Sequence, residues 1–406
     1  MADKVFDKRI NAVKRFAYLA YAFLLPFSDW ADIKWNSILL ILLSGVTLIQ
    51  LCFDFKRFNI FSSSQFYILS GIFFIQLLSL FQSGDYRSIE SGLMIKLPFL
   101  LFPFIMLISG VDEKDWELIK KVFILGCLFA LFLSFRFLIF HQFNIKDLFQ
   151  YHKYENYLIL HRPYFGIYLL TAIVFLFENK IFYPYSYLLI LLFVFFLWLI
   201  QAKMSLLIFA LILFFYILSN TKKTYKKWVL ICGILFSILI VVFSINFYLN
   251  NRNRQDLLSK KALFLVLSMD TRLIQWDCAW DLVNQNLILG VGEGKIKDEL
   301  NACYMAKHPF TFQFLKNYNV HNEFLEEGVR HGMIGILTYL IIFFFFFRIS
   351  ISSGDGAYLS FLVIIVFASL TETTFSRSQG VLLIAFINSV MYLRSVSLNH
   401  PKLSSL

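Results

Sequence analysis

The sequence predicts an all-α polytopic membrane protein with about twelve transmembrane helices. Of its 406 residues, 59% are hydrophobic and 16% are charged, which is more apolar and less charged than a soluble domain. Apolar runs of about 20 residues recur along most of the chain, and each can cross roughly 30 Å of hydrocarbon as a helix. The net charge is +11, and its basic residues fall mainly in short segments between the apolar runs. Such clusters are typical of topology signals, and we find no nucleic-acid-binding module.

The apolar runs define the predicted helices in order. Segment 1–15 is basic and leads into an apolar stretch interrupted at Pro26, with no small-residue cleavage site after it, so we expect a retained first helix. The later runs are 36–53, 64–82, 93–110, 120–141, 161–178, 184–200, 203–219, 228–246, 329–347, 357–371 and 379–394. They predict a single integral membrane domain, with nine transmembrane helices in residues 1–246, a long loop at 247–322, and three further helices in 323–406.

Charge distribution predicts which loops lie on which side of the membrane. Counting connections alternately from a cytoplasmic start places most basic short segments inside, in agreement with the positive-inside rule. These segments contain Lys56, Lys114, Lys120, Lys180, the run 222–227, Arg348 and Arg394. The same count places the segments around His161, Lys203 and Glu372 outside, together with the long loop.

The loop at 247–322 is too long for a tight connection, and its length predicts a functional role. Its low Gly and Pro content indicates that it contains helices. Cys278 and Cys303 both lie in this external loop, where an oxidising compartment could pair them. The five cysteines of the chain have no metal-ligand spacing, so the sequence indicates no zinc site.

The stretch HNEFLEEGVRHGMIG begins at His321, where the long loop meets the next apolar run. Apolar residues recur along it at helical spacing, so His321 and Asn322 come directly before a helix that enters the membrane. Gly328, Gly332 and Gly335 are three or four residues apart, which predicts one helix face that allows a close approach by a neighbour. The imidazole could act in catalysis, or it could anchor the helix at the membrane surface.

The stretch DTRLIQWDCAWDLVNQN predicts an amphipathic helix on which Arg272, Trp276 and Trp280 are spaced by four residues and share one face. Arg can bind phosphate through a bidentate fork, and aromatic faces can cover the apolar side of a sugar. This combination fits an anionic, sugar-bearing ligand, and an interfacial helix with ordinary Trp anchors is the alternative. The following LILGVGEG predicts a turn, since no strand context supports a nucleotide-binding loop.

The stretch at His321 resembles the signature of the O-antigen ligase and polymerase superfamily. That signature is His, then Asn, Ser or Gln, nine residues, Gly, two residues, and Gly, Thr or Tyr. His321, Asn322, Gly332 and Gly335 satisfy its fixed positions. His331 matches none of them, so we expect a packing or interfacial role for it.

The resemblance extends to other segments. Superfamily members commonly show an Arg, a Trp a few residues on, and an apolar residue before Gly-x-Gly, as at Arg272, Trp276 and the glycine-rich turn. The family's second Arg, at an external break between two helices, is replaced here by Lys203, which keeps the charge and loses the bidentate fork. HRPYFGIYLL from His161 and TETTFSRSQG from Thr371 resemble segments of homologues from the Bacteroidetes lineage.

The resemblance implies an O-antigen ligase-type glycosyltransferase at the periplasmic face of the bacterial inner (cytoplasmic) membrane. The count of connections predicts that both chain ends lie in the cytoplasm. The implied donor is an undecaprenyl-diphosphate-linked glycan, and the acceptor is lipid A-core in a ligase or another lipid-linked repeat in a polymerase. The single long external loop favours a ligase. A lipid-glycan flippase or transporter is a further alternative, although such proteins are expected to show paired halves with interrupted helices.

The resemblance and the predicted topology together suggest roles for individual residues. His321 would accept the proton of the incoming hydroxyl, and Arg272 with Lys203 would bind the diphosphate and stabilise its growing charge. The other expected substrate-binding residues lie on the same outer side and are Asn322, Trp276, Trp280, His161, Arg162, Glu372 and Arg377. Lys96 and Arg136 also fall near outer helix ends, where they could line a basic cavity or extend their charges to the membrane surface.

We expect no cofactor and no divalent metal, because the predicted outer side lacks the clustered carboxylates that Mg²⁺ generally uses. The nearest approach to a cluster is formed by Asp270, Asp277 and Asp281. Asp277 and Asp281 are spaced as i and i+4 on a different helical face from Arg272, and we expect them to be solvated.

Overall fold

A computed structural model describes residues 2–28, 35–53, 64–82, 84–109, 111–140, 158–178, 184–220, 268–309 and 312–399. Within these ranges the chain forms helices joined by short connections and contains no β-strand. The all-α class predicted from composition is therefore confirmed. The predicted run 228–246, the basic run 222–227 and the beginning of the long loop, 247–267, lie outside the described residues.

The helices are numbered here in chain order within the described ranges. The first nine are α1 (Ala2–Leu24), α2 (Trp35–Phe53), α3 (Ser64–Gln76), α4 (Tyr86–Lys96), α5 (Pro98–Ser109), α6 (Glu113–Phe140), α7 (Arg162–Glu178), α8 (Ser186–Leu199) and α9 (Lys203–Asn220). They are followed by α10 (Ser268–Gln285), α11 (Ile296–Lys307), α12 (Phe312–Leu315), α13 (Glu323–Ser353), α14 (Gly356–Ser369) and α15 (Ser378–Asn399). Short 3-10 segments, Leu25–Phe27 and Leu77–Phe81, extend α1 and α3.

Five described segments are long and apolar enough to cross a membrane, judged by length and composition. They are Trp35–Cys52, Tyr86–Ile108, Glu113–Arg136, Glu323–Ser353 and Ser378–Leu398. Shorter apolar helices occupy Phe66–Phe81, Ser186–Leu199, Lys203–Phe214 and Gly356–Ser369. The described part of the chain is therefore all-helical and contains five candidate membrane spans.

The predicted run 93–110 overlaps the candidate span Tyr86–Ile108, which the structure divides into α4 and α5. The division falls at Leu97 and Pro98. Proline lacks a backbone N–H and is accommodated at the first position of a helix, so α5 begins at Pro98 and α4 ends just before it.

Helix α7 is the most enclosed element of the bundle. Its residues are buried almost without interruption from Tyr164 to Leu176, and it packs against α6, α8, α9 and α14. A helix that is hydrophobic on all sides is expected in the interior of a bundle, which is where α7 lies.

The two ends of α7 define the two ends of the bundle. Near its start, the hydroxyl of Tyr164 donates to the backbone carbonyl of Thr373, 3.0 Å away, in the connection between α14 and α15. At its other end, Glu178 pairs with Arg394 at 2.6 Å, and Arg394 also contacts Asp355 at 3.1 Å. We call these the Tyr164 end and the Arg394 end.

Helices α10, α11 and α12 form a small second core that packs on the beginning of α13. Cys278 of α10 and Cys303 of α11 form a disulfide, so the pairing that the sequence left open occurs. Lys307 of α11 pairs with both Asp277 and Asp281 of α10, and these hydrogen bonds raise the pKa of Lys307. The two aspartates, expected to be solvated, are partly exposed members of an ion pair.

Helix α13 is broken at Gly332, where φ is 63° and ψ is −153°. The expectation that Gly328, Gly332 and Gly335 share one face of a continuous helix is therefore corrected. Only glycine adopts such a conformation readily, and a Cβ atom at position 332 would lie 2.4 Å from the carbonyl oxygen of Ile288. The glycines were predicted to allow a close approach by a neighbouring helix. A close approach does occur, but it is made at Gly332 by the segment that contains Ile288.

The glycine-rich turn 287–294 fills the break in α13. The N–H of Val291 donates to the carbonyl of Val329 at 2.8 Å, and the N–H of Gly292 donates to the carbonyl of Arg330 at 3.0 Å. Carbonyls left without helical partners by the break are satisfied in this way. The turn predicted from its glycines therefore docks the small second core onto α13.

Candidate functional site

His321 lies at the boundary between the small second core and α13. Its backbone has a φ of 51°, in the left-handed region that residues other than glycine seldom adopt, although His is found there more often than most. Its imidazole Nδ1 lies 3.1 Å from Oε2 of Glu372, and its side chain is 19% exposed. The ring is thus held on its Nδ1 side and still reaches the surface.

Glu372 joins His321 to Arg272. Nη2 of Arg272 donates to Oε1 of Glu372 at 2.7 Å, while the other carboxylate oxygen contacts His321. An ionised carboxylate accepts hydrogen bonds and does not donate, so the proton of a neutral His321 resides on Nδ1 and the lone pair on Nε2. The structure therefore brings three of the residues singled out in the sequence into one chain of contacts, which we call the Arg272 triad (Arg272, Glu372 and His321).

The backbone next to His321 is held from two sides. The indole N–H of Trp276 donates to the carbonyl of Val320 at 3.1 Å, and the N–H of Val320 donates to Oε2 of Glu326 at 2.9 Å. Both backbone polar groups of the buried Val320 are thereby satisfied, as buried backbone groups require. Trp276 was expected to bind substrate, but its one hydrogen-bond donor, the indole N–H, is bonded to the loop that carries His321.

Asn322 is the N-cap of α13. Its Oδ1 accepts the N–H of Leu325 at 3.1 Å, and its Nδ2 donates to the carbonyl of Leu370 at 3.1 Å. Asn is among the best residues at this position, because the side chain satisfies one of the free N–H groups of the first turn. Asn322 therefore contacts the backbone of the first turn of α13 and of the connection between α14 and α15.

Trp280 is separated from the other two members of the predicted face on α10. Eight residues turn an α-helix about 80° beyond two full turns, so Arg272 and Trp280 diverge along the helix. Trp280 is 56% exposed, whereas the indole of Trp276 is bonded within the protein.

Lys203 lies at the Tyr164 end, at the start of α9, and is exposed. The connection before it is tight, with Gln201 in the left-handed region and the N–H of Ala202 bonded to the carbonyl of Leu197 at 3.0 Å. A Cβ atom at Gly166 of α7 would lie 2.0 Å from Oγ of Ser205, so α7 and α9 approach closely there. This contact places the beginning of α9 beside the beginning of α7.

The other predicted binding residues also lie at the Tyr164 end. His161 is exposed and Arg162 is buried, and together they lead into α7. Arg377 is exposed just before α15, close enough to influence the Tyr164 hydroxyl electrostatically. Lys203, His161 and Arg377 therefore offer exposed cationic or titratable groups at the end that carries the Arg272 triad.

Lys96 is not at the surface, which corrects both roles predicted for it. Its side chain is 2% exposed and its Nζ lies 2.5 Å from Oε1 of Glu327. Glu327 also accepts from Nδ1 of His331 at 2.9 Å, and Nε2 of His331 lies 3.1 Å from Oγ of Ser79. The packing role expected for His331 is confirmed, since its side chain is fully buried.

Arg330 occupies the centre of this buried ion network. Its Nε lies 2.5 Å from Glu293 of the glycine-rich turn, its Nη2 lies 3.2 Å from Glu326, and its Nη1 contacts Glu327. The network therefore gathers the carboxylates of Glu293, Glu326 and Glu327, which were not predicted to cluster. Glu323 is also buried nearby and accepts the N–H of Phe375 at 2.9 Å.

A spacing signal in the sequence could have revealed this network. Glu326 and Glu327 precede Arg330 by four and three residues, and Glu327 precedes His331 by four, which are the separations at which helical side chains meet. Charges inside an apolar helix are costly unless they pair, so this spacing predicts internal ion pairs. The contribution of Lys96 and Glu293, from distant segments, follows only from the tertiary structure.

Comparisons with known proteins agree with the resemblance seen in the sequence. A search of curated proteins found no match. Residues 186–340 match the protein family described as O-antigen ligase. The matched region begins with α8 and ends within α13, so it includes Lys203, Arg272 and His321 but not Glu372. This match supports the resemblance of the chain to the O-antigen ligase and polymerase superfamily.

Proposed function

We propose that the protein is an O-antigen ligase-type glycosyltransferase that moves a glycan from undecaprenyl diphosphate to lipid A-core at the periplasmic face of the inner membrane. The family match supports the general activity, because members of that family are glycosyltransferase-like membrane enzymes that act on lipid-linked polysaccharide. The observation that carries the proposal is the Arg272 triad, in which Glu372 contacts both Arg272 and His321.

His321 is the proposed general base. Because its Nδ1–H donates to Glu372, its Nε2 carries the lone pair that accepts a proton. The acceptor hydroxyl oxygen forms a bond to the anomeric carbon of the glycan while its proton passes to Nε2. The bond between that carbon and the diphosphate breaks, and its electron pair leaves on the diphosphate.

Arg272 is proposed to stabilise the charge that grows on the departing diphosphate. A guanidinium has five N–H donors, and the contact with Glu372 uses only one of its nitrogen atoms, Nη2. The side chain is 31% exposed, so it can contact a ligand while it holds Glu372. We propose that Lys203 adds a second positive charge, and that His161, Arg377 and Trp280 contact the glycan or its lipid headgroup.

The Arg272→Lys variant is expected to lose transition-state stabilisation. Lys keeps the positive charge but cannot contact Glu372 and a phosphate through one planar fork, at a cost of about 1.5 to 3 kcal/mol if one charged hydrogen bond is lost. The measurement is kcat/KM for the lipid-linked donor, with Arg87→Lys on the exposed start of α4 as the control. Unchanged turnover and donor KM in a folded Arg272→Ala protein would contradict the role.

We propose an orientation of the protein that the disulfide and the basic residues support. Disulfides persist in oxidising compartments, which supports placing Cys278, Cys303 and the Tyr164 end in the periplasm. Lys120 and Arg394 lie at the opposite end, as the positive-inside rule requires of a cytoplasmic face. We propose about twelve transmembrane helices with both chain ends in the cytoplasm.

Transfer is expected to proceed without a divalent metal. The described carboxylates near the site are bonded to Arg272, Arg330, Lys96 or backbone N–H groups, and these groups occupy the oxygens that a Mg²⁺ ion would use. The measurement is glycan transfer after EDTA treatment, and after re-addition of Mg²⁺. Activity that disappears with EDTA and returns with Mg²⁺ would show this expectation to be wrong.

A reconstituted assay distinguishes the proposed function from its alternatives. Purified protein in liposomes would receive an undecaprenyl-diphosphate-linked oligosaccharide with either lipid A-core or a second lipid-linked repeat. Glycan covalently joined to lipid A-core supports the ligase, and glycan joined to the second repeat supports a polymerase. Movement of the donor across the bilayer without a new glycosidic bond would overturn the transferase proposal and indicate a flippase.

A further inference from the structure

The Arg272 triad depends on two loops that are distant in sequence. His321 follows the peptide of Val320, whereas Glu372 lies in the connection 370–377 between α14 and α15. Nδ1 of His321 and Oε2 of Glu372 are 3.1 Å apart, so a displacement of either loop by about 1 Å would break the contact. The structure must therefore hold the two loops in register.

Two buried carboxylates on the first turns of α13 hold one loop each. Glu326 accepts the N–H of Val320 at 2.9 Å. Glu323 accepts the N–H of Phe375 at 2.9 Å and the hydroxyl of Ser376 at 3.2 Å. Glu326 thus contacts the backbone one residue before His321, and Glu323 contacts the backbone three residues after Glu372.

Arg330 connects these two attachments. Its Nη2 donates to Oε1 of Glu326 at 3.2 Å, and its Nη1 donates to Oγ of Ser376 at 3.2 Å. Its side chain is 4% exposed, and its Nε lies 2.5 Å from Glu293 of the glycine-rich turn. One rigid guanidinium therefore contacts a group attached to each loop and the turn that fills the break in α13.

We propose that Arg330 is a positioning residue, which holds the loops of His321 and Glu372 in register through Glu326 and Ser376. Arg suits this role because its planar fork carries five donors in fixed directions, whereas the ammonium of Lys is a point charge on a flexible stem. This inference rests on the proposed function in one respect, which is that the imidazole of His321 is the base.

The alternative is that Arg330 serves only to neutralise buried carboxylates. Arg394 provides a control, because it too is an Arg in a carboxylate network, with Glu178 at 2.6 Å and Asp355 at 3.1 Å, but at the opposite end of the bundle. A general loss of ion pairing should affect Arg330→Lys and Arg394→Lys alike. A positioning role should affect the triad in Arg330→Lys alone.

The first measurement does not depend on transfer. Purified Arg330→Lys and Arg394→Lys proteins would be treated with diethyl pyrocarbonate, and modification of each His would be followed by peptide mass spectrometry. We expect the rate at His321 to change relative to the exposed His161 in Arg330→Lys and to stay at the wild-type ratio in Arg394→Lys. An unchanged ratio in Arg330→Lys, or the same change in Arg394→Lys, would overturn the proposal.

The second measurement is transfer from an undecaprenyl-diphosphate-linked oligosaccharide to lipid A-core. We expect Arg330→Lys to lower kcat by up to about 10²-fold with little change in donor KM, because small displacements of catalytic groups cost that much. Ser376→Ala removes one hydroxyl and should fold, so it should show a smaller change in the same direction. If neither variant alters His321 modification or kcat, Arg330 has no positioning role.

The two measurements separate this inference from the proposed function. One outcome is that His321→Ala loses transfer while Arg330→Lys and Ser376→Ala behave as the wild type. It would support His321 as the base and overturn the positioning role of Arg330. A changed His321 modification in Arg330→Lys, with full transfer in His321→Ala, would retain the positioning contact and contradict the proposed base.

Discussion

Replacement of His321 by Ala is expected to lower glycan transfer by about 10²- to 10⁴-fold, the range over which a general base contributes. The reason is geometric, since Glu372 holds Nδ1 and leaves the lone pair on Nε2 to take the hydroxyl proton. The transfer rate should also show a different dependence on pH in His321→Ala than in the wild type, because the proton-accepting imidazole is absent. The measurement is the transfer rate against pH, at matched protein levels in membranes.

His331 supplies the contrast for that experiment. It lies on the same helix but is fully buried, between Glu327 at 2.9 Å and Ser79 at 3.1 Å. His331→Ala leaves buried polar groups unpaired and should lower the free energy of unfolding by about 1 to 3 kcal/mol, while the pH dependence of transfer stays that of the wild type. Near-wild-type transfer with an unchanged pH profile in His321→Ala would instead assign His321 to anchoring α13 at the membrane surface.

The all-helical fold was predictable because apolar runs carry their own signal. A segment such as 36–53 must satisfy its backbone hydrogen bonds internally in an apolar environment, and a helix does so. The boundaries were less predictable where tertiary contacts decide them. The break of α13 at Gly332 depends on the turn 287–294, whose N–H groups replace helical donors, and the spacing of three glycines gives no information about that partner.

The site was predictable residue by residue but not as an arrangement. Arg272, His321 and Glu372 were each singled out by residue type, motif or predicted side of the membrane, yet nothing in the sequence indicated that Glu372 contacts the other two. Contacts over 51 and 100 residues of separation arise from tertiary packing. For the same reason the sequence assigned Trp276 to a ligand, whereas its indole N–H bonds to the carbonyl of Val320.

Lys96 shows how a membrane context can mislead a prediction from sequence. A Lys near a helix end is commonly explained by extension of its charge to the membrane surface. Here its ammonium instead meets Glu327, a residue 231 positions away, inside the bundle. A buried charge of this kind is stable only when its partner is present, so Lys96 and Glu327 are expected to depend on each other.

Replacement of Glu372 by Gln is the most discriminating test of the Arg272 triad. Gln has nearly the same shape, but it presents one oxygen and one NH₂ group where the carboxylate presents two oxygens. If the NH₂ group faces His321, the imidazole must accept at Nδ1, which moves its proton to Nε2 and removes the lone pair needed for the base. If the NH₂ group faces Arg272, two donors oppose each other and the guanidinium is displaced.

Either orientation should lower transfer by about 10²- to 10⁴-fold, the range that loss of a base or of its orienting carboxylate costs. The measurement is kcat for transfer in purified Glu372→Gln, together with its thermal unfolding. Glu90→Gln, on the exposed surface of α4, is the matched control and should behave as the wild type. A Glu372→Gln protein that transfers glycan at the control rate would show that Glu372 does not set the protonation state of His321. Arg272 and His321 would then have to act without a common carboxylate.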